Sequence, residues 1–484
     1  MRKDRLLIYL VYILIFSISI FLLIYTVYRA ATLSFTFDES LSYNIFVPLK
    51  FMDIVSFKIA LANNHIINTL CMKYISIIFG SSELLLRLPS ILSHLVYIVF
   101  TLKILKNVAS PLILLAGFLL LNINPYLLEF FSLARGYAMA ISFTVVSIYF
   151  LLNYIGNNRH KSIIWSFIFA VLAVLSSFTL LIYFISLVAV VNIYWIVSQS
   201  HSNFNEILKK NILVIICSLI LILILFEPIR KLIKFHELYD GGTTGFWFDT
   251  IGSLISASLY GRSYNYNVFN FIRYVIAVCS LGMIGFFLYQ LLILKRKVFT
   301  EKFSIITILL FISCTVPVVQ HLFLKSYFPI NRMALFFVPL FITSFILTVS
   351  FSAKNRIMKL LVLPILLIFA GASVCHTSHS LNTSHTLYWK YDADTKKMLS
   401  DLELTVGKEN KSPVKLGVMW LYEPTINFYR NTRKYDWLEM VTEETYKKPD
   451  YDYYYLADSC LDYVRKLNKP NIIHYLISDS YLVK

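Results

Sequence analysis

The run Leu6–Tyr28, LLIYLVYILIFSISIFLLIYTVY, is 23 residues long and carries no charge, and soon after it stands Phe35-Thr36-Phe37-Asp38-Glu39-Ser40. An uncharged apolar run of that length reads as a membrane-crossing helix. The preceding Arg2-Lys3-Asp4-Arg5 has the look of a signal-peptide start. The apolar run is too long for a signal h-region, and no small-residue cleavage site follows it. It therefore reads as a retained first span with a cytoplasmic N-terminus. Asp38 and Glu39 emerge where that span leaves the membrane. Two adjacent carboxylates are costly there unless water, a partner or a substrate satisfies them.

Working outward, the same apolar pattern recurs along the chain. Of 484 residues, 58% are hydrophobic, against 45–50% in an ordinary soluble domain. Eleven spans are expected, at about 6–28, 88–106, 110–127, 136–155, 162–178, 180–198, 211–227, 271–294, 303–322, 332–350 and 357–374. The connections holding Lys103/Lys106, Arg159/Lys161, Lys209/Lys210, Lys295-Arg296-Lys297 and Lys354/Arg356/Lys359 are short and basic, which places them inside. An odd number of spans then puts the C-terminus outside. The expected fold is an all-α polytopic membrane domain, residues 1–374, with outer loops at 29–87 and 228–270. A small extracytoplasmic α/β domain, 375–484, follows it. Residues 46–61 and 66–79 read as helices lying in the outer interface, with Thr69, Lys73 and Ser76 forming a polar stripe on the second. Gly80 suits a helix C-cap, and Ser81-Ser82-Glu83 suits the start of the next helix. Asp240-Gly241-Gly242-Thr243-Thr244-Gly245 reads as a mobile loop before a short helix near 249–260. In the tail, helices are expected at 391–404, 424–429 and 459–467, and strands at 414–420, 453–457 and 474–478.

Charge divides the chain in the same place. From His376 onward there are 15 basic and 15 acidic residues, so the first 375 carry 29 basic and 12 acidic residues and all of the +17. A basic membrane body suits anionic lipid and a phosphate-bearing lipid substrate. No basic run is interleaved with aromatics on a soluble face, which excludes nucleic acid as a partner. The six cysteines contain no C-x-x-C, and Cys375 and Cys460 are the two that could meet on the outer side. Cys375, His376, His379 and His385 lie in a Ser/Thr/Asn-rich linker with no second matching half, so no metal site is assigned. Dependence on a divalent metal is left open.

Several polar elements fall on the outer side with Asp38 and Glu39. They are Asn63-Asn64-His65, Glu83 with Arg87-Leu88-Pro89-Ser90, Ala134-Arg135-Gly136-Tyr137, Lys325, and Pro329-Ile330-Asn331-Arg332. An acidic pair after span one, an N-H element in interfacial helices, S-E-x-x-x-R-L-P-S opening span two and A-R-G-Y opening span four resemble the GT-C superfamily. The nearest branch is that of protein O-mannosyltransferases and lipid A aminoarabinose transferases. The likeness covers roughly 30–160 and the Pro-x-x-Arg element, and excludes the tail. One departure is that His65 is followed by Ile66-Ile67, where family members often carry two prolines.

The resemblance implies inverting sugar transfer from a polyprenyl-phosphate donor to a glycan, lipid or protein acceptor on the outer face of the cell (inner) membrane. It also implies that the first acidic residue, Asp38, is the base. Such a transfer needs a carboxylate to take the acceptor's proton and positive charge on the departing phosphate. Glu39 would orient the acceptor or steady charge on the sugar. Arg87, Arg135, Lys325 and Arg332 are the candidates for the phosphate. Asn64, His65, Glu83 and Tyr137 are candidate substrate contacts. Each has a structural alternative. Arg87 stands four residues after Glu83, Arg135 is close to Glu129 or snorkels, Lys325 and Arg332 suit lipid phosphates generally, and His65 suits an interfacial histidine. Two other function classes fit the composition. A lipid or sugar transporter would show repeated halves and a midplane site, and neither is visible. A noncatalytic scaffold of envelope polysaccharide assembly is opposed only by the clustered charges.

Overall fold

The computed structural model describes residues 2–484 apart from 107, 109, 158, 199–203, 407–412, 449, 461 and 463–471. Helix α1 (Arg2–Thr32) leads into the acidic helix α2 (Phe37–Leu41), then α3 (Phe51–Val55) and α4 (Ile66–Phe79). The bundle continues with α5 (Glu83–Leu105), α6 (Pro111–Asn122), α7 (Pro125–Phe131), α8 (Gly136–Asn157), α9 (His160–Ser176), α10 (Leu181–Ser198) and α11 (Phe204–Lys234). It closes with α12 (Gly252–Ser258), α13 (Tyr266–Leu294), α14 (Lys302–Leu324), α15 (Asn331–Ala334), α16 (Phe337–Ser352) and α17 (Arg356–Ser380). The tail holds α18 (Thr395–Val406), β1 (Leu416–Val418), α19 (Glu423–Arg433), β2 (Tyr453–Ala457), β3 (Ile472–Tyr475) and β4 (Ser480–Val483).

Among the described residues, nine helices are long and apolar enough to cross a membrane, and this is a multi-pass membrane protein. The two remaining expected spans also exist as helices, in altered form. Residues 110–127 fall on α6 and α7, which meet at a 62° bend. Pro125 forces that break because a proline has no N–H to continue the ladder. The other, α9, is 17 residues long, about 26 Å at 1.5 Å per residue. It packs along α8. Its last residue, Ser176, reaches His65 at the end of the bundle where α8 begins, so α9 returns the full depth of α8.

The first loop departs from its expected form. Within 46–61 only Phe51–Val55 is α-helical, Phe46 closing a π-helical turn that begins at Ser42, whereas α4 spans 66–79 as read. The polar stripe of α4 faces the protein, not water. Thr69 is buried and donates to Asn64 Oδ1, and Lys73 donates to the Val47 carbonyl. Tyr74, Ile77, Ile78 and Phe79 point outward. Gly80 ends the helix at φ +97°, a conformation costly for a residue with a Cβ, and Ser82 caps α5.

The tail sheet runs β1-β2-β4-β3, with β1 parallel to β2 and the other pairs antiparallel. The closing strand expected at 474–478 is instead a β3–β4 hairpin. A three-residue turn occupies Asp458–Cys460, and most of the helix expected at 459–467 lies outside the described residues. All six cysteines are free, so Cys375 and Cys460 do not pair. The tail shares a core with the first loop. Phe35, Val47, Met72, Leu86 and Ala134 pack with Met398, Leu399, Leu402, Tyr422, Ile426, Phe428 and Tyr429. The Phe35 ring stacks on Phe428 at 4.1 Å.

Candidate functional site

Helix α2 is five residues long, too short to hold itself in water. A capping box supplies its first restraint. Thr36 accepts from the Glu39 N–H, and Glu39 Oε2 accepts from the Thr36 N–H at 2.9 Å. The rest comes from distant elements. From α5, Arg87 donates to Glu39 Oε1 at 2.8 Å and Oε2 at 2.7 Å. Its remaining donors go to the carbonyls of Ala30, Leu33 and Ser34. Glu39 also accepts from the Ala134 N–H. Every donor of Arg87 and both oxygens of Glu39 are thus committed inside the protein, and both side chains are fully buried. The expected roles of Arg87 on a phosphate and of Glu39 on a substrate have no free atoms to perform them. The pair fastens α1, α2, α5 and the A-R-G-Y turn together.

Asp38, one residue earlier, faces differently. Its Oδ2 lies 3.2 Å from Arg135 Nη2 and 3.3 Å from Arg332 Nη1. Its side chain keeps 12% exposure, against 0% for Glu39. Arg135 is 1% exposed. It also donates to the Asp38 carbonyl and Ser42 Oγ, each at 3.2 Å. Its Nη2 reaches His65 Nε2 at 3.2 Å, and His65 Nδ1 lies 2.9 Å from the Ser176 carbonyl. A guanidinium only donates and a carbonyl only accepts, so His65 carries its proton on Nδ1 and accepts on Nε2. Burial, then the Arg135 charge, holds its pKa well below the ordinary 6.5. His65 is a neutral link between Arg135 and α9. The expected pairings of Arg87 with Glu83 and of Arg135 with Glu129 do not form.

Gly136 makes this packing possible. A Cβ there would stand 2.1 Å from the Ser176 carbonyl oxygen and 2.7 Å from the His65 ring. Tyr137 meets the His65 ring edge to face at 4.8 Å. Asn64 is spent on the Ile54 carbonyl and Thr69. Its neighbour Asn63 reaches the cluster, donating to the Asp38 carbonyl at 2.9 Å.

Arg332 is the most accessible arginine of the cluster, with 26% of its side chain exposed. Its guanidinium carbon lies 5.3 Å from the Trp389 ring centroid and 6.0 Å from that of Tyr388. A buried polar clamp delivers those rings. Arg29 of α1 donates to the Asn382 and His385 carbonyls and faces Glu129 of α7 at 3.7 Å. Glu129 accepts from the Leu387 N–H. Glu83 sits apart on the tail side, bridged to Lys396 at 2.9 Å and Arg433 at 3.2 Å. Lys325 is exposed at the left-handed end of α14, and no described contact joins it to Asp38. The Asp240–Gly245 loop is tied beside Arg332, with Gly242 and Phe328 exchanging backbone hydrogen bonds. Sequence reasoning missed Arg29, Glu129 as its partner, the Tyr388-Trp389 wall, and Asp392. The Asp392 Oδ2 accepts the Phe37 N–H at 2.6 Å.

An apolar cavity of about 570 Å³ opens beside this end of the bundle, between α6, α12, α13, α14, α16 and α17. Its wall helix α12 fixes the residue before Arg332, because the Asn331 N–H donates to Ser253 Oγ at 2.9 Å.

Neither a family model nor a curated relative matches the sequence. Among solved structures, ArnT from Cupriavidus metallidurans in the apo state superposes with a TM-score of 0.51 at 9% identity, covering 98% of this chain and 97% of that one. The chain adopts the GT-C fold. A second GT-C structure, the same ArnT bound to undecaprenyl phosphate, gives a TM-score of 0.49 at 10% identity over 97% of both chains. A third, the oligosaccharyltransferase AglB from Archaeoglobus fulgidus with an inhibitory peptide and a dolichol-phosphate, gives 0.43 at 14% identity over 86% of this chain and 63% of that one.

Proposed function

We propose that this chain is an inverting membrane glycosyltransferase that moves a sugar from a polyprenyl-phosphate donor to an acceptor at the outer face of the cell membrane. The observation that carries the reading is the Asp38 carboxylate, held between two guanidinium groups at the open end of a GT-C bundle. In this reading Asp38 takes the proton of the acceptor hydroxyl as its oxygen attacks the anomeric carbon, and the sugar–phosphate bond breaks on the opposite side. Arg332 meets the negative charge that gathers on the leaving phosphate, where a planar fork matches two phosphate oxygens. Arg135 and His65 hold Asp38 in place, and Glu39 with Arg87 holds the backbone beneath it. The apolar cavity takes the prenyl chain, and its shared wall with Arg332 supports phosphate and chain lying together. Clustering of the charged groups at one end, rather than at mid-bundle, speaks against a transporter. The test is incubation of purified protein with a panel of polyprenyl-phosphate sugars, measuring release of polyprenyl phosphate. Release from one donor, dependent on added acceptor, is expected. No release from any donor, with any of a glycan, lipid or peptide acceptor, overturns the reading.

A further inference from the structure

We infer that Asp392, from the tail, is a positioning residue for Asp38, acting through the Phe37 peptide. This rests on the proposed role of Asp38.

Three successive backbone N–H groups lead into Asp38, and each has a different acceptor. Phe35 N–H donates to the Tyr429 hydroxyl at 2.8 Å, Thr36 N–H to Glu39, and Phe37 N–H to Asp392 Oδ2 at 2.6 Å. Two of these three acceptors belong to the tail. Asp392 is the one bound to the residue next to Asp38, so it sets the angle at which that residue leaves the chain. Ser40, on the other side of Asp38, is held from the tail as well, its Oγ donating to Thr425 Oγ1 of α19 at 3.4 Å. Asp392 is 1% exposed, and its other oxygen, Oδ1, is buried without a hydrogen-bond partner. A buried carboxylate with a bare oxygen is expensive. Burial first, and then the charges of Glu39 and Asp38, drive its pKa well above the usual carboxylate range, against the pull of the Phe37 hydrogen bond. Burial and its acidic neighbours therefore favour its neutral form more than in an exposed aspartate. Its work is to accept the Phe37 N–H. The clamp at Arg29 and Glu129 fixes the segment that carries it, three residues after Trp389.

A neutral amide can do that work and a methyl group cannot. With the purified full chain and its donor, Asp392→Ala is expected to lower kcat on the order of ten- to a hundred-fold, the scale of a small misplacement of a reacting group. The KM for donor should stay within about two-fold, because Arg332 and the cavity are untouched. Asp392→Asn keeps a carbonyl acceptor for Phe37 and is expected to recover most of the lost kcat. Wild-type kcat in the Ala variant overturns the inference. So does an equal loss in the Ala and Asn variants at unchanged thermal stability. Should the Ala variant not fold, Asp392→Ser decides. Its hydroxyl is too short to reach Phe37, so the same fall in kcat is expected and a normal kcat overturns the inference. A wild-type chain that releases no polyprenyl phosphate marks failure of the functional reading instead.

Discussion

The Asp38 carboxylate and its two arginines make separable predictions. Asp38→Asn keeps the shape and loses the proton acceptor. Turnover should vanish while expression and donor binding persist, and wild-type turnover in the variant would move catalysis elsewhere. Arg332 and Arg135 should differ, because Arg135 is wrapped by Asp38, Ser42 and His65 while Arg332 keeps an open side. Arg332→Lys should weaken donor binding by about 1.5–3 kcal/mol, the worth of a charge-assisted hydrogen bond, with little change in melting temperature. Arg135→Lys should lower melting temperature as well as turnover. Normal donor affinity in Arg332→Lys would make Arg332 an interface anchor and move the phosphate site elsewhere. His65 adds a pH dependence. Its folded-state pKa lies well below 6.5 because burial and Arg135 disfavour the charged ring, so below pH 6.5 the unfolded chain binds the proton more readily. Its contribution is complete above about pH 6.5 and is lost as pH falls toward the folded value. The drop in melting temperature from pH 7.5 to 5.5 should therefore shrink in His65→Asn. An undiminished drop would mean that other groups carry it.

Helix α2 shows how far local signals reach. The acidic pair, the A-R-G-Y turn and the Ser82 cap were all legible, because each depends on residues within a few positions. The partners were not. Arg87 was expected either on a phosphate or on Glu83 one turn away, and it pairs with Glu39, 48 positions earlier. Asp392 arrives from 355 positions away with no motif around it. Helix α4 misled for another reason: an amphipathic stripe says that two faces differ, not which one meets lipid, and here Thr69 and Lys73 turn inward while Ile77 and Phe79 turn out. The Arg87–Glu39 pair should be costly to break singly. Arg87→Met leaves a buried carboxylate uncompensated and should destabilise by about 3–5 kcal/mol. The double variant Arg87→Met with Glu39→Gln should regain part of that. Denaturation of the two singles and the double measures the coupling, and additive losses would show that the pair is not one unit.

At the scale of the whole molecule, the contacts at the site fix the directions of α1, α5, α8, α9 and α16. Asp38 follows the C-terminal end of α1. Arg87 lies near the start of α5, Arg135 precedes α8, Ser176 ends α9, and Arg332 lies at the start of the α15–α16 pair. All five meet at one end of the bundle, so successive helices alternate only if bent α6–α7 and short α9 each count as a traverse. Among the described residues nine helices, or ten with the bent pair, are long and apolar enough to cross a membrane, and α9 is shorter. The eleven expected from hydropathy therefore needs α9 to cross as well, and the tail then lies at the same end as Asp38. The shared core of Phe35, Phe428 and Tyr429 agrees independently, since the tail could not pack there from the other side. The connections at the opposite end include Lys103, Arg159, Lys161, Lys295, Arg296, Lys297, Lys354 and Arg356. A basic end is expected at the cytoplasm, and the proposed function then expects Asp38 and the tail outside. Ser459 is exposed in the tail and suits a label. In a background with Cys375 and Cys460 replaced by serine, Ser459→Cys should react with a membrane-impermeant maleimide on intact cells or spheroplasts. Reaction only after the membrane is opened would invert the whole chain and carry the site with it, because the tail and Asp38 cannot be on opposite sides.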